Sequence, residues 1–173
     1  IMPCFNQELE EQYFNDQKYL QPTFVYAGNL AKWQCIDKTL KLFSIIKKSI
    51  PDAKITFLTK EKDKAIKLAE QYGIYDLEVK YVPYTELNRE MAKYKYGFLL
   101  RENTVVNNVA TPTKMNSYLA CGVIPIFSEV IGDFREVLKD IKYKIPVLTF
   151  EDCIKNLKEI ENNRIESFEI LKE

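Results

Sequence analysis

The groups best suited to chemistry in this sequence are cations placed beside a turn and a helix start. Arg101 closes the apolar run Tyr96-Gly97-Phe98-Leu99-Leu100, and Lys114 stands two residues past Pro112. A guanidinium at the carboxyl end of a buried strand needs an anionic partner, so Arg101 points either to phosphate contact or to an internal ion pair, for example with Glu102. Thr111 can cap a helix that has Pro112 at its first position, and Thr113 and Lys114 then lie in a first turn whose N–H groups and dipole favour an anion. Upstream, Gly28 ends the β-prone run that starts at Thr23. Glycine there lets the chain turn tightly or lets a ligand approach the backbone, and Asn29 follows it in the same turn. Lys32, just beyond, either reaches a diphosphate or is solvated. Asn107 and Asn108 can read a sugar or base by hydrogen bonds, or can shape their own loop. Trp33 and Tyr118 are expected to be packing residues, with stacking on a base or sugar as the alternative.

The elements that must position these groups alternate regularly. Residues 23–28 read as a strand, and Ile36, Leu40, Phe43, Ile46 and Ile50 mark an amphipathic helix. Pro51-Asp52 ends it; residues 53–58 read as a second strand and residues 60–72 as a second helix, stopped by Gly73. Residues 77–82 are predicted as a third strand, residues 85–94 as a short helix, and residues 96–101 as a buried fourth strand. The stretch 102–111 is polar and irregular, and the helix after it ends at Gly122. A fifth strand is predicted over 123–127, a helix over 132–140 and a sixth strand over 146–148. Thr149-Phe150-Glu151-Asp152 resembles a capping box opening the last helix. Six strands alternating with helices specify a Rossmann-like parallel sheet covered on both faces. In the strand order 3-2-1-4-5-6 the first and fourth strands are neighbours at the topological switch point, so Gly28-Asn29-Leu30 and residues 101–113 face one crevice.

Composition narrows the chemistry. With 173 residues and 25 basic against 25 acidic side chains, the chain suits a single domain and carries no net charge, which argues against a nucleic-acid partner. There is no histidine, so imidazole bases and His-containing zinc sites are excluded. No carboxylate pair falls in the predicted crevice, so no metal is implied. The dinucleotide fingerprint G-x-G-x-x-G is absent, which disfavours NAD or FAD. Cys4, Cys35, Cys121 and Cys153 are scattered without a C-x-x-C pair, as free thiols in a reducing cytoplasm are. No apolar run approaches the roughly 18 residues that span a bilayer, and no signal peptide opens the chain. The first residue is Ile1, as expected of a fragment of a longer protein.

The stretch from Phe24 through Gly28, Lys32 and Trp33, with Gly97 to Arg101 and Asn107 through Pro112, Lys114, Tyr118 and Gly122, resembles the nucleotide-sugar-binding C-terminal domain of retaining GT-B glycosyltransferases of the group 1, family 4 type. The likeness covers nearly the whole chain; P-x-K-x-x-x-Y-L-A-x-G is its most specific part. It implies that residues 1–22 are an inter-domain linker leading into a donor-binding domain at 23–173, the acceptor domain lying outside this chain. It further implies a nucleoside-diphosphate sugar of UDP or GDP type as donor substrate, with no cofactor, and a glycan or lipid-linked acceptor in polysaccharide biosynthesis. Arg101 and Lys114 would stabilise the leaving diphosphate, with Gly28, Asn29, Lys32, Asn107, Asn108, Thr111, Thr113 and Ser117 around the donor. Electrostatic stabilisation of this kind works without histidine. The resemblance also implies a cytoplasmic enzyme, with a place at the inner membrane face open to the full-length protein. One residue departs from the pattern: family members carry a glutamate where Ser117 stands, and a serine offers one short hydroxyl to ribose in place of two charged acceptors. That departure keeps a second reading open, a degenerate nucleotide-binding or structural module.

Overall fold

Strands β1 (Thr23–Ala27), β2 (Lys54–Leu58), β3 (Glu78–Lys80), β4 (Tyr96–Leu99), β5 (Ile124–Ser128) and β6 (Ile145–Val147) form one sheet in the computed structural model, which describes residues 8–108, 113–130 and 136–173. The sheet is all-parallel in the order β3-β2-β1-β4-β5-β6, the expected Rossmann-like topology. The central strands are apolar on both faces because both are covered. On one face, Phe24 and Tyr26 of β1, Phe57 of β2 and Phe98 of β4 pack under helices α1 (Ile36–Ser49), α2 (Lys62–Gln71) and a C-terminal helix, Phe150–Glu161. On the other, Val25, Ala27 and Leu99 meet Met91 of α3 (Leu87–Met91) and Met115, Tyr118 and Cys121 at or beside α5 (Thr113–Ala120). The one-turn α4 (Val105–Asn108) precedes α5, Phe150–Glu161 is α6, and α7 (Ser167–Lys172) closes the chain.

The element boundaries depart from expectation where local chemistry intervenes. The helix predicted over 85–94 is confined to α3, preceded by a 3₁₀ turn at Tyr84–Glu86, because Pro83 holds an extended backbone at its start. Stretch 102–111, expected to be irregular, contains α4. Of the helix predicted over 132–140, residues 132–135 lie outside the described residues, 136–137 are helical and 138–140 form a turn. Thr149 caps α6 by accepting from the Asp152 N–H at 3.1 Å, and its hydroxyl donates to the Asp152 carboxylate at 2.7 Å. Cys35, with φ of 54°, turns the chain from a 3₁₀ turn at Lys32–Gln34 into α1.

Two close approaches fix α5 to the sheet. The Tyr118 ring lies on Gly97 of β4, where a Cβ would come within 2.8 Å of it, and the Tyr118 hydroxyl donates to the Phe98 carbonyl at 3.1 Å. At the far end of α5, Gly122 adopts φ of 63° and terminates the helix. Residues 8–22 dock there: Tyr19 donates its hydroxyl to the Gly122 carbonyl at 2.7 Å, and the buried Lys18 ammonium donates to the carbonyls of Tyr13 and Cys121.

Candidate functional site

The carboxyl ends of β1 and β4 lie side by side at the centre of the sheet, where connections leave in opposite directions. Arg101 lies two residues past the end of β4. It is buried, its backbone N–H donates to Ser128 Oγ at 3.0 Å, and its guanidinium donates to the Leu100 carbonyl at 2.9 Å. The guanidinium carbon lies 5.3 Å from the centre of the Trp33 ring. Lys114, in the first turn of α5, donates to Gln34 Oε1 at 3.0 Å and stands over the Tyr26 ring at 4.3 Å. Gly28, with φ of 143°, makes room for it, since a Cβ there would lie 3.1 Å from Lys114 Nζ and 3.2 Å from the Tyr26 hydroxyl. Among the described residues neither cation has a carboxylate within ion-pair distance. The internal pair between Arg101 and Glu102 is therefore not formed, and both positive charges rest on neutral partners. Burial lowers the affinity of each for its proton: desolvation, then the nearby Arg101 charge, pushes Lys114 down to about 7, and desolvation depresses Arg101.

The loop after β1 is held on every side. The Leu30 N–H donates to Glu61 Oε2 at 2.6 Å, Lys64 donates to the Leu30 carbonyl at 3.2 Å, and the two side chains pair at 3.0 Å. Tyr26 donates its hydroxyl to the Asn29 carbonyl at 2.6 Å, and the Ala31 N–H donates to Asn29 Oδ1 at 3.2 Å. The Leu30 N–H, then the Lys64 ammonium, hold the Glu61 carboxyl below the usual carboxylate range. Gly28, Asn29 and Glu61 also line a cavity of about 520 Å³ that runs past the ends of β2 and β3, walled by Thr59, Tyr81 and Tyr84.

Gly28, Arg101 and Lys114 thus meet at one crevice. Lys32 is exposed beside it, and Thr113 is exposed at the start of α5. Asn107 is engaged locally, its N–H on Thr104 Oγ1 at 3.2 Å and its side chain on the Glu102 carbonyl at 2.8 Å, so it shapes the loop. The Asn108 side chain and Thr111 lie outside the described residues. Trp33, expected to pack internally, is 56% exposed and covers Arg101. Tyr118 is a packing residue, wholly buried. Gln34, Tyr26 and Glu61 were not singled out by the sequence reading; the visible hint was a lone glutamine among the residues between Gly28 and α1.

No sequence family matches the chain, and no curated protein does. Solved structures do match. TarM from S. aureus, in a variant complexed with fondaparinux, alpha-GlcNAc-glycerol and UDP, superposes with a TM-score of 0.67 at 14% identity over 87% of this chain. The O-GlcNAc transferase of Thermobaculum terrenum gives 0.63 at 16% identity over 83%. The chain spans only 30% and 29% of those two proteins. The C-terminal domain of a group 1 glycosyl transferase, LpcC of Francisella tularensis, matches over 97% of this chain and 93% of its own length, with a TM-score of 0.60 at 11% identity. The fold is that of the C-terminal half of a GT-B glycosyltransferase.

Within this fold, Ser117 lies one helical turn beyond Thr113 and is nearly buried. Its hydroxyl donates to the Thr113 carbonyl at 3.3 Å, so the donor it has is spent on its own helix. The cations and the long cavity flank Gly28 at the carboxyl edge of the sheet, where ligands bind in open α/β sheets. No group of three metal-ligating side chains occurs among the described residues, and none of their helices is long and apolar enough to cross a membrane.

Proposed function

We propose that this chain is the donor-binding half of a retaining glycosyltransferase, taking a nucleoside-diphosphate sugar of UDP or GDP type for transfer to a glycan or lipid-linked acceptor held by a second half. The observation that carries this reading is the pair of cations at the switch point, Arg101 and Lys114, which lie close to each other beside Gly28 with neutral partners alone among the described residues. Two desolvated positive charges without carboxylates cost free energy that a diphosphate recovers. The cavity beyond Gly28, walled by Tyr81 and Tyr84, offers flat aromatic surface for the rest of the nucleotide. In this reading the cations hold the diphosphate as negative charge builds on the leaving group, and Gly28 and the Asn29 turn let it approach the backbone. In this reading Lys32 and Thr113, both exposed, rim the same site. The enzyme is cytoplasmic and acts in polysaccharide assembly.

Ser117 favours a second reading, a nucleotide-binding module without transfer activity, because its back-bonded hydroxyl leaves ribose without a carboxylate. Calorimetric titration with UDP-glucose and GDP-mannose separates these readings from a purely structural role. Selective binding of one is expected, weakened about tenfold or more in Arg101→Ala, as for loss of a charged hydrogen bond of about 1.5–3 kcal/mol. Absence of binding by both overturns both nucleotide readings. Glycosyl transfer by the full-length protein with the preferred donor then distinguishes the transferase from the module.

A further inference from the structure

The residues that touch Lys114 suggest how the crevice controls its charge. Lys114 Nζ meets Gln34 Oε1 at 3.0 Å, the Tyr26 ring at 4.3 Å, and the space left by the missing Gly28 side chain. Gln34 is itself buried, and it reaches Lys114 from the turn that also places Trp33 over Arg101. We propose that Gln34 is a positioning residue for Lys114, holding its amine on an uncharged acceptor, and that binding of a diphosphate diester in this crevice is accompanied by uptake of a proton on that amine. The inference rests on the donor-site reading and deepens it.

The electrostatics around the amine run one way. From α5 itself Tyr118 contributes a neutral phenol; from β1, Tyr26 contributes another, which burial keeps protonated. From the end of β4, Arg101 adds a positive charge that opposes a second one. Cys35, at the end of the Gln34 turn, is held as a thiol by burial. Of the nearby carboxylates, Glu61 accepts from Leu30 and Lys64, and Glu102 acts on Cys35; neither forms an ion pair with Lys114. Desolvation and Arg101 together bring Lys114 to about 7 in the empty site, and an entering diphosphate reverses the balance by supplying the missing negative charge. Gln34 orients the amine in either protonation state, because an amide oxygen accepts from a neutral amine as well as from an ammonium.

The test is calorimetry of UDP-glucose and GDP-mannose binding at pH 6 and pH 8, in buffers of different ionisation enthalpy. Diphosphate diesters do not titrate in this range, so protons exchanged belong to the protein. The expected result is clear net proton uptake at pH 8 with affinity several-fold weaker than at pH 6, where uptake is much smaller. Gln34→Glu places a carboxylate against the ammonium in the free protein. It should reduce uptake at pH 8 to near zero and weaken binding at both pH values, a change in proton count that a merely structural role of Gln34 does not produce. Binding without proton uptake in the wild-type protein overturns the inference while leaving the donor site intact. Unchanged uptake in Gln34→Glu overturns the role of Gln34. No binding of either probe at either pH overturns the donor-site reading and this inference with it. The wild-type pH comparison stands alone should the variant not fold.

Discussion

Gly97 lies within β4 opposite Val25 and Gly28 just past the end of β1, and their missing side chains serve different ends. At Gly97 the space is filled by the Tyr118 ring, a rigid group with no route of escape, so Gly97→Ala should destabilise the fold by about 1–3 kcal/mol, the range for overpacking. Chemical denaturation reads this as a lower midpoint at unchanged slope. At Gly28 the nearest atom is the end of the flexible Lys114 side chain, and the φ of 143° adds backbone strain for any other residue. Gly28→Ala should therefore displace the Lys114 amine and weaken nucleotide-sugar binding by tenfold or more, out of proportion to its effect on stability. Equal affinity in this variant would mean that Lys114 does not act from its observed position. Arg101 was recognisable from sequence because an arginine ending an apolar strand conflicts with its surroundings. Gln34 was not, since its role depends on a residue 80 positions away and on the left-handed turn at Cys35, which no composition signal announces.

At the level of elements, the order of strands and helices followed from hydrophobic periodicity because the central strands are buried on both faces and each helix shows one apolar side. What pattern could not reveal is how neighbouring elements grip the loops between them. The turn after β1 takes its shape from α2, through Glu61 and Lys64 on the two backbone groups of Leu30. Glu61→Ala should release that clamp. Amide hydrogen exchange at Leu30 is expected to accelerate markedly while the amides of β1 and β2 keep their protection, which separates a local from a global effect. If the Leu30 amide exchanges as slowly as before, the loop is held by Tyr26 and Asn29 alone. The lowered affinity of the Glu61 carboxyl for protons adds a sign. Its contribution to stability is present above the unfolded carboxylate range and disappears as pH falls through its lower folded value. The clamp should therefore persist at neutral pH and loosen only in acid.

The molecule as a whole carries two opposed sets of buried titratable groups, and their balance sets its pH optimum for stability. Lys18 and Lys114 are each pushed down to about 7, chiefly by desolvation, against about 10.4 in an unfolded chain. Between those values the unfolded state binds more protons than the folded one, so these two groups make stability rise with pH from about 7. Cys121 and Cys153 are pushed up to about 12 by burial, and Cys35 is raised as well, against about 8.5 when unfolded. Above that value the unfolded thiols release protons that the folded ones keep, so three groups make stability fall. Of these groups the two lysines act alone up to about 8.5, and the thiols oppose them increasingly beyond it. The thermal midpoint should accordingly climb from pH 7, flatten above about pH 8.5 as the thiols begin to titrate, and decline by about pH 10. Lys18→Met tests the assignment through slope rather than level, because removing the amine also strips the Tyr13 and Cys121 carbonyls of a donor and lowers the whole curve. The expected outcome is a rising limb about half as steep, with an earlier and steeper decline once the thiols titrate. A midpoint that is flat from pH 7 to 8.5 in the parent protein would mean that both lysines keep their protons when buried, and the coupling between diphosphate binding and proton uptake would lose its driving force.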